Sequence, residues 1–218
     1  MRIDVFTQVP HAFGWLTEQK PLATVLGTEL ELRLFNYRDT TPLRSGQVDD
    51  EPYGGGAGMV LRVDVVAAAL DAVYGDDKPS RVIALTPQGR TLDQRLVEEL
   101  AHAPALTLLS SRFEGFDERI VEGLCTDAIS IGRYVLSGGE LPAMVVLDAI
   151  ARRLPGALAE GSGEHESFSQ ELEGGIEYPH YTRPPEFRGW AVPAVLLSGN
   201  HRRIAEWRRA QSRARSRV

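Results

Sequence analysis

ISIGRYVLSGGELPAM, residues 129–144, is the stretch that decides how the chain folds. Ser130-Ile131-Gly132 forms one bend and Ser137-Gly138-Gly139 a second. Between them, Tyr134-Val135-Leu136 has strand chemistry, and Glu140 leads into an apolar run that ends at Leu154. A short strand between two glycine turns leaves backbone N–H and C=O groups facing open space. That arrangement suits a flat, polar ligand held by main-chain contacts. A pair of tight turns is the plain alternative, and the neighbouring segments decide between the two.

Working outward, Ala128 to Ile131 reads as a strand and Val145 to Leu154 as a helix closed by Pro155-Gly156. Upstream, Ala105 to Leu109 is a strand that ends in Ser110-Ser111-Arg112-Phe113-Glu114-Gly115, and Ile120 to Leu124 is a helical turn. Arg81 to Leu85 is a short β-branched strand running into Thr86-Pro87-Gln88-Gly89, followed by a helix over Leu92 to Leu100 whose Asp93, Glu98 and Glu99 form a solvated face. Val63 to Tyr74 is an amphipathic helix with Asp64 as its cap. Before it, Arg2 to Val9 and Leu30 to Asn36 alternate as strands, Thr17 to Gly27 is helical with an interruption at Pro21, and Arg38 to Asp50 is a long polar loop. Strands alternating with helices predict an α/β domain with a largely parallel sheet. The strand ends Leu85-Thr86-Pro87, Ser110-Ser111 and Ile131-Gly132 are small or polar. Ligands of open α/β sheets gather at carboxyl ends of strands, so these ends and the opening stretch are expected to share one pocket.

Composition narrows the function. The single cysteine, Cys125, excludes an internal disulfide and a cysteine-built zinc site. No apolar run approaches the ~20 residues of a membrane helix, and MRIDVFTQVP is not a signal peptide, so no membrane partner and a cytoplasmic location are expected. The net charge of −6 argues against a protein that coats nucleic acid through general basicity. From His201 to Arg217, however, seven arginines face one acid, Glu206. This tail reads either as a phosphate-contacting arm or as a solvated terminus. Residues 157–176 are rich in Gly, Ser and Glu and read as a linker. Beyond them a small piece ends in a helix over Arg202 to Arg213 that Ser198 or Asn200 can cap. The loop at Asp49 to Met59 places four glycines in five residues (Gly54 to Gly58) without a following Gly-Lys-Ser/Thr, so it is not a phosphate-cradling Walker loop. No dinucleotide fingerprint, nucleophile elbow or zinc-spaced histidine pair occurs. His11, His102, His165, His180 and His201 are scattered. A glycine-lined pocket with carboxylates and arginines nearby fits group transfer from a small bound cofactor.

The segments DDEPYGGGAGMV, ALTPQGR, SRFEGFDERI, ISIGRYVLSGGELPAM, ESFS…EYPHYTRP and VLLSGNHRRIAEWRRAQS resemble, in order from about Asp49 to Ser212, the bacterial TrmD type of tRNA (guanine-N1)-methyltransferase, of the SPOUT superfamily. The resemblance implies a trefoil knot in the C-terminal half of a domain over 1–156, then a linker over 157–176 and a small, mostly helical, RNA-contacting domain over 177–218. It implies S-adenosylmethionine as methyl donor, a homodimer with the active site at the subunit interface, and methylation of N1 of the guanosine immediately 3′ of the anticodon, in the tRNA anticodon stem-loop.

By the same resemblance, the cofactor would contact Leu85, Thr86 and Pro87 in a first loop and Ser111, Glu114 and Gly115 in a second. Ser130, Ile131, Gly132, Arg133, Tyr134, Val135, Leu136, Gly138 and Gly139 form the third, with Pro142 behind it. Glu166 falls at the family's general base and Arg152 at the arginine that meets charge on guanine O6. Asp50, Tyr53, Gly55, His180, Arg183, Ser198, Asn200 and His201 fall at RNA-contacting positions. Mg²⁺ is an optional further cofactor, with Asp50, Glu114, Glu166 and Glu177 as acids able to hold it. The chain departs from the family pattern at Ser110-Ser111 and Arg133, in a longer linker and in an early C-terminus. Two other readings therefore stay open: a divergent paralogue that methylates another RNA or a small nitrogen heterocycle, and a non-catalytic RNA- or cofactor-binding module.

Overall fold

The computed structural model describes residues 1–77, 79–159, 162–163 and 166–216; His165 lies outside them. The chain divides into two units, Met1–Ala157 and Leu158–Val218. The first contains, in order, β1 (Arg2–Thr7), the single-turn helices α1 (Gly14–Thr17) and α2 (Leu22–Val25), β2 (Glu31–Asn36), α3 (Tyr37–Thr40), the paired short strands β3 (Asp49–Asp50) and β4 (Val60–Leu61), α4 (Val63–Tyr74), β5 (Val82–Thr91), α5 (Gln94–Ala101), β6 (Ala105–Ser110), α6 (Glu118–Gly123), β7 (Asp127–Ser130) and α7 (Glu140–Ala151).

Five strands form one sheet in the order β2-β1-β6-β5-β7, every pair parallel. The expected α/β class with a parallel sheet is what the chain forms. One face packs Ile3, Val5, Ile83, Leu106 and Leu108 against apolar residues of α2, α5 and α7. The other packs Phe6, Val82 and Leu109 against α3, α4 and α6. Because helices cover both faces, β1 is buried from Ile3 to Thr7, and the one-sided alternation expected of it gives way to the continuous burial typical of parallel sheets. Asp4 is inside this layer at 0% exposure. Arg33 donates to both its oxygens (2.7 and 2.8 Å) and the Tyr74 hydroxyl donates to Oδ2 at 2.6 Å, so the buried charge is compensated.

Several elements differ from the sequence expectation for local reasons. The helix expected over residues 17–27 is two separate turns, because Pro21 lacks an N–H and its ring disfavours helix in the residue before it. Within the long loop expected over residues 38–50, residues 37–40 form α3, with Asn36 accepting from the Arg38 N–H. The N-cap of α4 is Arg62, not Asp64, which instead pairs with Arg62 at 2.8 Å. Asp93, expected on a solvated face, caps α5 by accepting from the Leu96 N–H at 2.8 Å. Helix α7 begins at Glu140, five residues before the expected start. Pro142 falls in its first turn, where a missing N–H costs no hydrogen bond. Tyr134-Val135-Leu136 is not a strand. Among the described residues no neighbouring strand offers it a ladder, and strand propensity without cross-strand packing is weak.

The second unit holds a two-stranded hairpin, β8 (Glu186–Phe187) and β9 (Trp190–Ala191), then α8 (Ala194–Leu197) and α9 (His201–Arg215). Asn200 caps α9, accepting from the Arg203 N–H at 3.1 Å. The far end of α9 grips residue 176: Ser212 Oγ donates to the Ile176 carbonyl at 2.7 Å, and Ser216 Oγ accepts from the Ile176 N–H at 2.8 Å. Among the described residues of this unit no apolar side chain is fully buried.

Candidate active site

A bulge within β5 and the loops at the carboxyl ends of β6 and β7 enclose one cleft. The β5 contribution is a bulge. Leu85 and Arg90 both pair with Ile129 of β7, so the four residues between them, Thr86 to Gly89, are looped out of the ladder. Pro87, which has no N–H to give to a ladder, belongs in such a bulge. Thr86 and Pro87 line the cleft.

The β6 contribution is the turn Ser111 to Gly115, with Phe113 held at φ +63. The β7 contribution is the segment 131–139, which leaves the sheet and then returns to the end of β6. The Gly139 N–H donates to the Ser111 carbonyl at 2.7 Å, Ser110 Oγ donates to the Gly139 carbonyl at 3.1 Å, and Gly138 bridges to Arg112. Glycine is required at 139, because a Cβ there would lie 2.7 Å from the Ser110 Cα. The cleft holds about 710 Å³ of empty space with its open mouth included.

Of the residues expected to contact the cofactor, Leu85, Thr86, Pro87, Ser111, Glu114, Gly115, Ser130, Ile131, Gly132, Tyr134, Val135, Leu136, Gly138, Gly139 and Pro142 line this cleft. Arg133 is exposed and is not part of the lining. Arg112 and Phe113, within the second loop, and Ile129, at the head of the opening stretch, also line the cleft, although the sequence reading did not name them as individual contacts. Arg112 and Glu114 are the charged groups among the lining, one of each sign. Behind the wall, burial, with Cys125 and Glu140 nearby, holds the Tyr37 phenol well above its usual range, so it stays neutral.

The glycine loop after β3 is tied to this wall. The Glu114 N–H donates to the Met59 carbonyl at 2.9 Å, and Gly58 sits against the Glu114 side chain with no room for a Cβ. Asp50 is held by Arg62 at 2.8 Å, while Tyr53 and Gly55 are exposed on the loop; none of the three lines the cleft. Arg152 is the C-cap residue of α7. Glu166 lies in the second unit, at the start of the described stretch 166–216. There Glu177 accepts from His180 Nε2 at 2.8 Å, Arg183 lines a separate hollow with Tyr181 and Leu196, the Asn200 N–H donates to Ser198 Oγ at 3.2 Å, and His201 is the first residue of α9. Among the described residues no three His, Cys, Asp or Glu side chains come together as a metal site. Of the acids named for Mg²⁺, Asp50 pairs with Arg62 and Glu177 with His180. Among the described residues, no helix is long and apolar enough to cross a membrane.

The profile of tRNA (Guanine-1)-methyltransferase TrmD matches residues 1–218. The chain belongs to the TrmD family. Curated relatives span it as fully. A tRNA (guanine-N(1)-)-methyltransferase of Brevibacillus brevis is 48% identical over 220 residues, covering 100% of this chain and 89% of that protein. The enzyme of the same name from Dehalococcoides mccartyi is 48% identical over 219 residues, covering 99% and 87%. That from Chloroflexus aurantiacus is 48% identical over 220 residues, covering 100% and 86%. The family match thus extends to the residues before Asp49, where the first of the quoted motifs begins.

Proposed function

We propose that the chain transfers a methyl group from S-adenosylmethionine to N1 of the guanosine immediately 3′ of the anticodon in tRNA, in the cytoplasm, as a homodimer with its active site at the subunit interface. The observation that carries this reading is the cleft: a bulge and two strand-end loops of a TrmD-family chain close on one backbone-rich space. The donor fits these residues. Leu85, Ile129, Ile131 and Leu136 offer an apolar seat for a purine, flanked by the backbone of Gly132, Gly138 and Gly139 and by one cation and one acid. When bound, S-adenosylmethionine supplies an electrophilic methyl on a sulfonium centre, which needs no metal.

The chain's own groups then have two tasks. Guanine N1 holds its proton at neutral pH, so a carboxylate must accept it as the N1–methyl bond forms; Glu166 is assigned this role. Negative charge spreads toward O6, where the Arg152 guanidinium is suited to meet it. Return of the segment 131–139 to the end of β6 supports the trefoil-knot reading of this half of the unit. Val135 (87% exposed), Leu141 and Val145 supply apolar surface that a second copy would cover. The basic helix α9 and the capped turn at Ser198 to His201 supply phosphate contacts from the second unit.

The test is incubation with methyl-labelled S-adenosylmethionine and two tRNA transcripts, one with guanosine and one with adenosine 3′ of the anticodon. Label is expected in the first only. Equal labelling would defeat the proposed specificity, and label in neither would defeat the function.

A further inference from the structure

The first turn of α7 carries a buried charge to which the reading above gives no task. Glu140 is 5% exposed. It accepts from Thr7 Oγ1, at the end of β1, at 2.8 Å and from Arg112 Nε, in the cleft wall, at 3.3 Å. Burying a carboxylate is costly unless its charge is matched, and Thr7 alone would be served equally by a neutral amide. The site is built tightly: a Cβ on Gly138 would overlap a Glu140 carboxylate oxygen. The matching charge is Arg112, the one cation among the residues that line the cleft.

We propose that Glu140 is a positioning residue that holds Arg112 in the cleft wall to receive the carboxylate at the amino-acid end of the methyl donor. With Nε–H turned to Glu140, the terminal nitrogens of the guanidinium fork are the part left for a ligand carboxylate, the geometry in which arginine pairs best. The inference rests on the assignment of the cleft to S-adenosylmethionine.

Calorimetry on the full chain tests it with two ligands: S-adenosylhomocysteine, which has the amino-acid end, and 5′-methylthioadenosine, which lacks it. Arg112→Met, at a partly exposed position, is expected to weaken S-adenosylhomocysteine about tenfold while leaving 5′-methylthioadenosine unchanged. Glu140→Gln, which keeps an acceptor for Thr7, is expected to do the same, and the double variant to lose no more than either single one. Losses that add, equal weakening of both ligands, or undiminished S-adenosylhomocysteine binding in Arg112→Met would overturn the proposal. Should Glu140→Gln not fold, the Arg112→Met comparison of the two ligands still decides it. Failure of the unaltered protein to bind either ligand would instead remove the assignment of the cleft.

Discussion

In the proposed reaction, removal of the N1 proton of guanine asks one residue for basicity rather than shape, and Glu166 is the residue proposed for it. Glu166→Gln keeps size and hydrogen-bonding capacity but loses the ability to take a proton. Turnover is expected to fall by roughly 10²-fold or more, with calorimetric affinity for S-adenosylhomocysteine unchanged; full turnover would place the base elsewhere. Cys125 is the opposite case, a reactive type made inert by its surroundings. Burial, with Asp127 nearby, pushes its thiol up to about 12, so at pH 8 roughly one molecule in 10⁴ carries the thiolate. Ellman's reagent is expected to label the folded protein far more slowly than the urea-unfolded chain. Rapid stoichiometric labelling in buffer would contradict this.

At the scale of elements, Asp127 joins the first residue of β7 to the entry of β5. Arg81 donates to it at 2.8 and 3.3 Å, and the Thr126 hydroxyl donates at 2.7 Å. Partial burial opposes its charge, but these donors outweigh burial and leave its carboxyl below the usual range. A depressed folded value means that the stabilisation is complete above the unfolded aspartate value of about 3.9 and is lost as pH falls through the folded one. Asp127→Asn is therefore expected to lower the urea midpoint at pH 7, with the difference shrinking as pH drops below about 4. A difference that does not vary with pH would mean the pair contributes through packing alone.

Local pattern made some of these elements legible. The apolar spacing of Val63 to Tyr74 gives α4 to the residue, and the alternating and apolar runs give the sheet strands within two positions, except that β5 continues past Leu85 to Thr91. What local pattern could not give is what depends on partners distant in the chain. The Thr86–Gly89 bulge exists because Leu85 and Arg90 share Ile129. Asp4 and Glu140 look like ordinary surface acids until Arg33, Tyr74, Thr7 and Arg112 are brought to them. The strand expected at Tyr134 to Leu136 failed for the same reason, since a ladder needs a neighbour that the sequence does not name.

At the scale of the whole molecule, a chain of net charge −6 gathers a basic cluster on one terminal helix, α9, which holds six arginines against Glu206. Acidic residues elsewhere disfavour indiscriminate binding to RNA, while this helix supplies phosphate contacts on a unit distinct in packing from the one that holds the cleft. Function on the proposed account needs a donor cleft on the first unit and a proton acceptor, Glu166, on the second. The most direct measurement is the position of the modified base. After reaction of an unmodified tRNA transcript with S-adenosylmethionine, primer extension should stop at the nucleotide 3′ of the anticodon, and digestion should yield 1-methylguanosine. A stop at any other position, or a methylated nucleoside other than 1-methylguanosine, would contradict it.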